Sequence, residues 1–116
     1  MNIILGVYND DLIHYNSYNS SNSRTIILKS GLTSNVWHHV VINKLATNRF
    51  DFYLNNVKVG SDMTNTDASL DLKYIGSDNI GSGIGPDEAF IGQIDQVRMF
   101  TRPLNISEIN RLYTEK

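Results

Sequence analysis

Asp78, Asn79, Asp87 and Glu88 fall in one irregular stretch and supply oxygen donors, the ligands a hard cation such as calcium takes. If that loop folds back on itself, Asp78, Asp87 and Glu88 become the expected metal set. The competing reading is a group of solvated loop acids. Glycoside hydrolysis asks for something else: two carboxyl groups flanking the scissile bond, one protonated and one ionised. The glutamates are Glu88, Glu108 and Glu115, one in a loop and two on an expected helix, and no expected strand places two carboxylates two residues apart. This argues against an enzyme. His38 and His39 are adjacent, and neighbours on a strand point to opposite faces, so the pair cannot hold one ion. One packed and one exposed histidine beside Trp37 is the expectation, and His14 has no evident partner.

Other stretches offer weaker chemistry. Gly81-Ser82-Gly83-Ile84-Gly85-Pro86 is glycine-rich, but a phosphate cradle needs a helix directly after it, and a strand is expected there. Tyr18 sits in a polar loop where an aromatic ring can stack on a sugar, with Asn79 and Asp87 as candidate polar contacts. Tyr8 and Tyr15 read instead as half-buried strand residues. Asn19-Ser20-Ser21 and Asn105-Ile106-Ser107 match the glycosylation sequon, a pattern too common to weigh.

The elements that must position these residues belong to one domain, residues 1–116, with room for one core. Hydrophobic residues make up 41% and charged residues 19%, ordinary for a globular chain. A formal net charge of -2 without a basic cluster gives nucleic acid no electrostatic handle. No apolar run approaches the roughly 20 residues of a membrane-spanning helix, so membrane insertion is not expected. The absence of cysteine removes disulfides and thiolate metal sites without fixing a compartment. The opening Met1–Tyr8 lacks the basic start of a signal peptide.

Short β-rich runs separated by polar turns predict an all-β sandwich. Strands are expected at Asn2–Tyr8, Leu12–Tyr15 and Thr25–Lys29, with a turn at 9–11 and a polar loop over 16–23. Val36–Asn43 reads as the central strand, because consecutive β-branched residues suit burial on both faces. Phe50–Leu54 alternates, putting Phe50, Phe52 and Leu54 on one face, and Asn55-Asn56 turns the chain into Val57–Val59. A loop over 61–69, a strand over 70–75 and a long loop over 77–89 follow. A last strand at Phe90–Phe100 has Ile94 out of phase with Val97 and Met99, which a β-bulge near Asp95-Gln96 would reconcile, with burial on both faces as the competing account. Asn105 and Glu108 form a capping box for a helix whose stripe is Ile106, Ile109, Leu112 and Tyr113, lying against the sandwich.

Three segments, in order, resemble the laminin-G-like (concanavalin A-like) jelly-roll pattern. Trp37-His38-His39-Val40-Val41 is similar to its "W-x-H-V" strand. Phe52-Tyr53-Leu54-Asn55-Asn56-Val57 is similar to its "L-Y-V-N-G-x" hairpin, with Asn56 in place of glycine. Gly92–Phe100 through Tyr113 is similar to its "G-x-I-D-E-V-R-I-Y…L-S-x-x-E-I-x-x-L-Y" close. The resemblance implies an antiparallel β-sandwich of jelly-roll type with one short C-terminal helix. It also implies two or three further strands before Met1, including an aromatic "F-W-V/I-K" run, so the chain reads as a domain lacking its first strands. Either those strands lie upstream in the same polypeptide, or a partner supplies them. Some relatives bind calcium at a rim of loops, and the glycanases of the related family use "E-x-D-x-x-E", which this chain lacks.

The function these features imply is non-catalytic: a recognition module that binds a glycan or a protein, as part of a larger extracellular, cell-surface or virion protein with further domains. The alternative is a purely structural spacer of an adhesin or tail fibre. A polysaccharide hydrolase is the third and weakest reading.

Overall fold

A computed structural model of the chain describes residues 2–19, 22–46, 48–63, 75 and 90–115. Strands β1 (Asn2–Tyr8), β2 (Asp11–Asn19) and β3 (Asn22–Lys29) form one antiparallel sheet in that order. Strands β4 (Val40–Ala46), β5 (Arg49–Leu54) and β6 (Val57–Met63) form the second, also antiparallel, and helix α1 (Ile106–Thr114) follows.

Two hairpins close on paired residues in the left-handed region. Asn9 and Asp10 have φ of 50° and 62° between β1 and β2, and Asn55 and Asn56 have 48° and 69° between β5 and β6. Two successive left-handed residues make the hairpin turn whose twist matches the strands, and Asn and Asp tolerate that conformation best after glycine.

The sheets pack face to face around Leu12 and Leu28 from the first and Phe50, Phe52 and Leu54 from the second. The alternation expected for β5 holds, with Phe50 and Phe52 sealed from solvent. At Gly60 on β6 an added Cβ would stand 2.8 Å from Leu28 Cδ2, so the two layers touch there and a side chain would require the Leu28 methyl to shift. The architecture is the antiparallel β-sandwich of jelly-roll type with one short helix.

Several sequence expectations are corrected. The polar run over 16–23 is not all loop: β2 continues to Asn19 and β3 begins at Asn22, with Asn16 paired to Arg24 and Ser17 to Ser23. A ladder needs backbone groups, not apolar side chains, and Asn16 is even turned inward. Likewise β6 runs on to Met63, through the start of the expected loop at 61–69.

The tryptophan-bearing run is the largest correction in this half of the chain. β4 begins only at Val40 and lies at an edge of its sheet, while Val36–His39 precede it as irregular backbone. A turn at Ser34-Asn35, with Asn35 at φ 60°, stops the strand from starting earlier. The expected last strand, Phe90–Phe100, pairs with no strand among the described residues, and its apolar side chains are exposed. β-branched composition alone does not make a strand without a neighbouring ladder. With no ladder there among the described residues, the expected bulge does not form; Gln96 has φ 53° and its N–H donates to Asp95 Oδ1 at 2.8 Å.

After this segment Leu104 is buried and held by one side chain. Asn43 Nδ2 donates to Leu104 O at 2.8 Å, and Leu104 N–H donates to Asn43 Oδ1 at 2.9 Å. α1 then starts on the complete capping box: Glu108 N–H to Asn105 Oδ1 at 2.9 Å, and Asn105 N–H to Glu108 Oε1 at 3.1 Å. Of the expected stripe, Ile109 is buried and Leu112 half-buried, Tyr113 is partly exposed with its ring near His39, and Ile106 faces solvent. The expected runs over 70–74 and 77–89 lie outside the described residues.

Candidate functional site

Trp37 is the side chain that the fold presents most unexpectedly. It is 63% exposed, beside Val36 at 56%, on the loop leading into β4. An indole held in water loses the burial that normally makes tryptophan stabilising, so its position calls for another use.

The loop is pinned from both sides. His38 Nε2–H donates to Thr33 O at 2.9 Å, closing residues 33–38 into a compact turn. The β5–β6 turn braces the same segment: Asn55 N–H donates to His39 O at 2.8 Å, and His39 N–H donates to Asn55 Oδ1 at 2.8 Å. Asn55 Nδ2 then donates to His38 Nδ1 at 3.2 Å. Because Oδ1 of Asn55 is committed to a backbone N–H, its amide orientation is fixed. His38 Nδ1 must therefore be the acceptor and Nε2 the protonated nitrogen. Loop and turn form one knuckle, with Trp37 and Val36 at its outer side.

His39 faces the other way. Its ring lies 5.9 Å from that of Tyr113 on α1, and its Nδ1 is buried with no hydrogen-bond partner among the described residues. Burial, and then the nearby charge of Arg98, push its pKa below the ordinary histidine value, so the neutral ring is favoured. The expectation of one packed and one exposed histidine gives way to two half-buried rings, each engaged with a different element. What this end offers is an exposed aromatic face available for apolar contact.

A second polar group lies between the sheets. His14, fully buried, places Nε2 2.9 Å from Asp62 Oδ2, correcting the expectation that it has no partner. Asn16 Nδ2 donates to the same oxygen at 3.2 Å, and Arg24 pairs with Asp62 Oδ1. The His14 ring also lies against Phe52, centroids 4.6 Å apart. With no solvent access to either ring or carboxylate, this cluster joins the layers and does not meet a substrate.

Of the residues singled out from sequence, Asp78, Asn79, Asp87 and Glu88 lie outside the described residues, and Tyr18 lies on β2 with a side chain outside the description. Tyr8 is exposed and Tyr15 half-buried. Among the described residues no three His, Cys, Asp or Glu side chains gather to hold a metal ion. Glu108 is engaged with Arg102 and the helix cap. No described helix is long and apolar enough to cross a membrane. Sequence reasoning did not anticipate that Trp37 would be exposed on a loop; the signal was Thr33-Ser34-Asn35, turn chemistry directly before it.

Among curated proteins nothing matches this chain. The chain is similar to the crystal structure of an S-layer domain-containing protein from Clostridium thermocellum, with 26% identity and a TM-score of 0.57. The match covers 90% of this chain and 52% of that one, so the chain spans about half the length of its solved relative. A family model, described as concanavalin A-like lectin/glucanases superfamily, matches residues 2–110. With the sandwich, the Asn55-Asn56 hairpin and the capped closing helix all in place, the chain belongs to the laminin-G-like family of that superfamily.

Proposed function

We propose that this chain is a non-catalytic recognition module of a longer extracellular or cell-surface polypeptide, engaging a glycan or a protein through the rim around Trp37. The carrying observation is the exposed indole on a loop pinned by His38 and Asn55. A ring carried on a pinned loop stacks on the apolar face of a pyranose, or on an apolar peptide, without the cost of ordering the loop. The likeness to an S-layer domain-containing protein supports a cell-surface setting.

The test is retention of the folded domain on immobilised polysaccharides and on a glycan array. Trp37→Ala is expected to cut retention at least tenfold while leaving the melting temperature nearly unchanged, as suits a side chain already exposed. No retention of the folded wild-type domain on glycan or protein ligands would overturn the reading. Tyr18, Asn79 and Asp87 are offered as further contacts, to be tested by Tyr18→Ala in the same assay. Asp78, Asp87 and Glu88 are offered as calcium ligands. Calcium is then expected to raise the melting temperature and a chelator to lower it, and identical melting curves would remove that role.

A spacer is the second reading, favoured by one observation. Ile91, Val97, Met99 and Phe100 are half or more exposed along one segment, an apolar surface suited to packing against a neighbouring domain. A spacer would pass through the glycan and protein screens without binding, and Trp37→Ala would change nothing.

A further inference from the structure

Resting on the reading of Trp37 as a contact residue, we propose that Tyr8 is a second aromatic platform on the same rim, and that the ligand is a neutral oligosaccharide long enough to lie across both rings. From sequence Tyr8 reads as a half-buried strand residue, yet it is 67% exposed, as open to solvent as Trp37. It ends β1, immediately before the left-handed pair Asn9 and Asp10.

Backbone bonds bring the two rings to one end of the sandwich. Leu32 N–H donates to Asp10 O at 2.6 Å, and Gly31 N–H donates to Asp11 Oδ1 at 3.0 Å. The β1–β2 turn is thereby fastened to the start of the loop that carries Trp37. The far side of that loop returns to the same place, because the His38 ring bonds to Thr33 O. The β5–β6 turn completes the group through Asn55 and adds the exposed side chain of Val57. Three connections, drawn from both sheets, form one rim. A chain held on one ring then meets the other as an intramolecular event, with both supporting turns already ordered.

Charge and polarity select the class of ligand. Residues 7–11, 31–38 and 54–57 contain no Lys or Arg, and their carboxylates are Asp10 and Asp11. Asp10 is exposed, and Asp11 is turned to Gly31. Lys29 and Lys58 stand just outside these spans, the second 3.3 Å from Asp51. A sulfated or carboxylated chain would meet the Asp10 carboxylate with no cation inside the rim to pair with it. An apolar peptide would cover Asn9, Ser34 and Asn35 and leave their exposed polar groups unpaired. Sugar hydroxyls donate and accept, as those amides and the serine do, while the apolar faces of pyranose rings stack on Tyr8 and Trp37.

The test is retention of the folded domain on an array of neutral, carboxylated and sulfated glycans, each presented as a ladder of chain lengths. Neutral glycans are expected to be retained, more strongly as the chain grows from disaccharide to hexasaccharide. Tyr8→Ala should weaken retention of the longer chains about threefold to tenfold, the worth of one aromatic contact, and leave disaccharides unchanged. Trp37→Ala should weaken retention at every length. Tyr8→Phe keeps the ring and should match the wild type; a loss as large as that of Tyr8→Ala would place the contact on the hydroxyl and overturn the stacking. If Tyr8→Ala alters nothing while Trp37→Ala does, the second platform falls and the recognition reading stands. Preference for the charged ladders overturns the ligand class, as does a domain that ignores glycans but holds a protein through Trp37. A folded domain that retains neither kind of ligand overturns both readings. If Tyr8→Ala does not fold, the Tyr8 ring resonances of the wild type decide. Shifts on titration with the best-retained hexasaccharide support the platform, and unmoved resonances overturn it.

Discussion

Asp62 on β6 accepts from His14 and Asn16 of β2 and pairs with Arg24 of β3, so one carboxylate ties the second sheet to two strands of the first. Its side chain is 1% exposed. Removing one member of a buried, hydrogen-bonded pair leaves the others desolvated and unpaired, so Asp62→Ala should destabilise the domain by about 3–5 kcal/mol in chemical denaturation. A cost below about 1 kcal/mol, that of an exposed pair, would deny the tie its place between the layers. The sequence hints at half of this: Leu12, His14 and Asn16 alternate inward, placing polar residues on a core face. The partner is 48 positions away across the sandwich, and periodicity carries no information about such a pairing. Trp37 was hidden for a related reason. Its apolar neighbours read as a strand, whereas a cross-loop bond from His38 to Thr33 decides that they are not.

At the scale of elements, the closing helix was legible in detail because its signals are local. Asn105, Glu108 and the apolar spacing lie within one turn or two of each other, and the capping box forms as expected. The hairpin turns were legible for the same reason, since Asn and Asp pairs announce a left-handed backbone. Phe90–Phe100 was misread because a strand is defined by its neighbour, which sequence spacing does not supply. Two predictions belong here. Asn105→Ala should cost about 1 kcal/mol, the usual worth of an N-cap, read by denaturation. Glu108 has a pKa lowered to about 2, chiefly by its side-chain bond to Arg102 and next by the Asn105 backbone N–H. A folded-state pKa below the unfolded one means the contribution is present above the ordinary glutamate value of 4.5 and is lost as pH falls toward 2. Glu108→Gln should therefore flatten the stability profile within that window, modestly, since the pair is exposed and screened by salt. An identical acid profile in the variant would show that the bond to Arg102 does not stabilise the fold.

For the molecule as a whole, the question is whether two three-stranded sheets behave as one body. The core draws Leu12 and Leu28 from one layer and Phe50, Phe52 and Leu54 from the other, and Phe52 also packs on the His14 ring of the inter-sheet cluster. Neither layer buries its apolar face without the other, so they should unfold in a single transition. Phe52→Ala removes contacts on both sides of the interface and should cost about 3–5 kcal/mol, with β2 and β5 amides losing hydrogen-exchange protection together. Ile91→Ser is the matched control: at 92% exposure it should change stability by no more than about 0.5 kcal/mol. If Phe52→Ala lowered protection in β4–β6 while β1–β3 kept theirs, the sheets would be independent units. The Asp62 cluster would then be a contact between them and not the clasp of a single core.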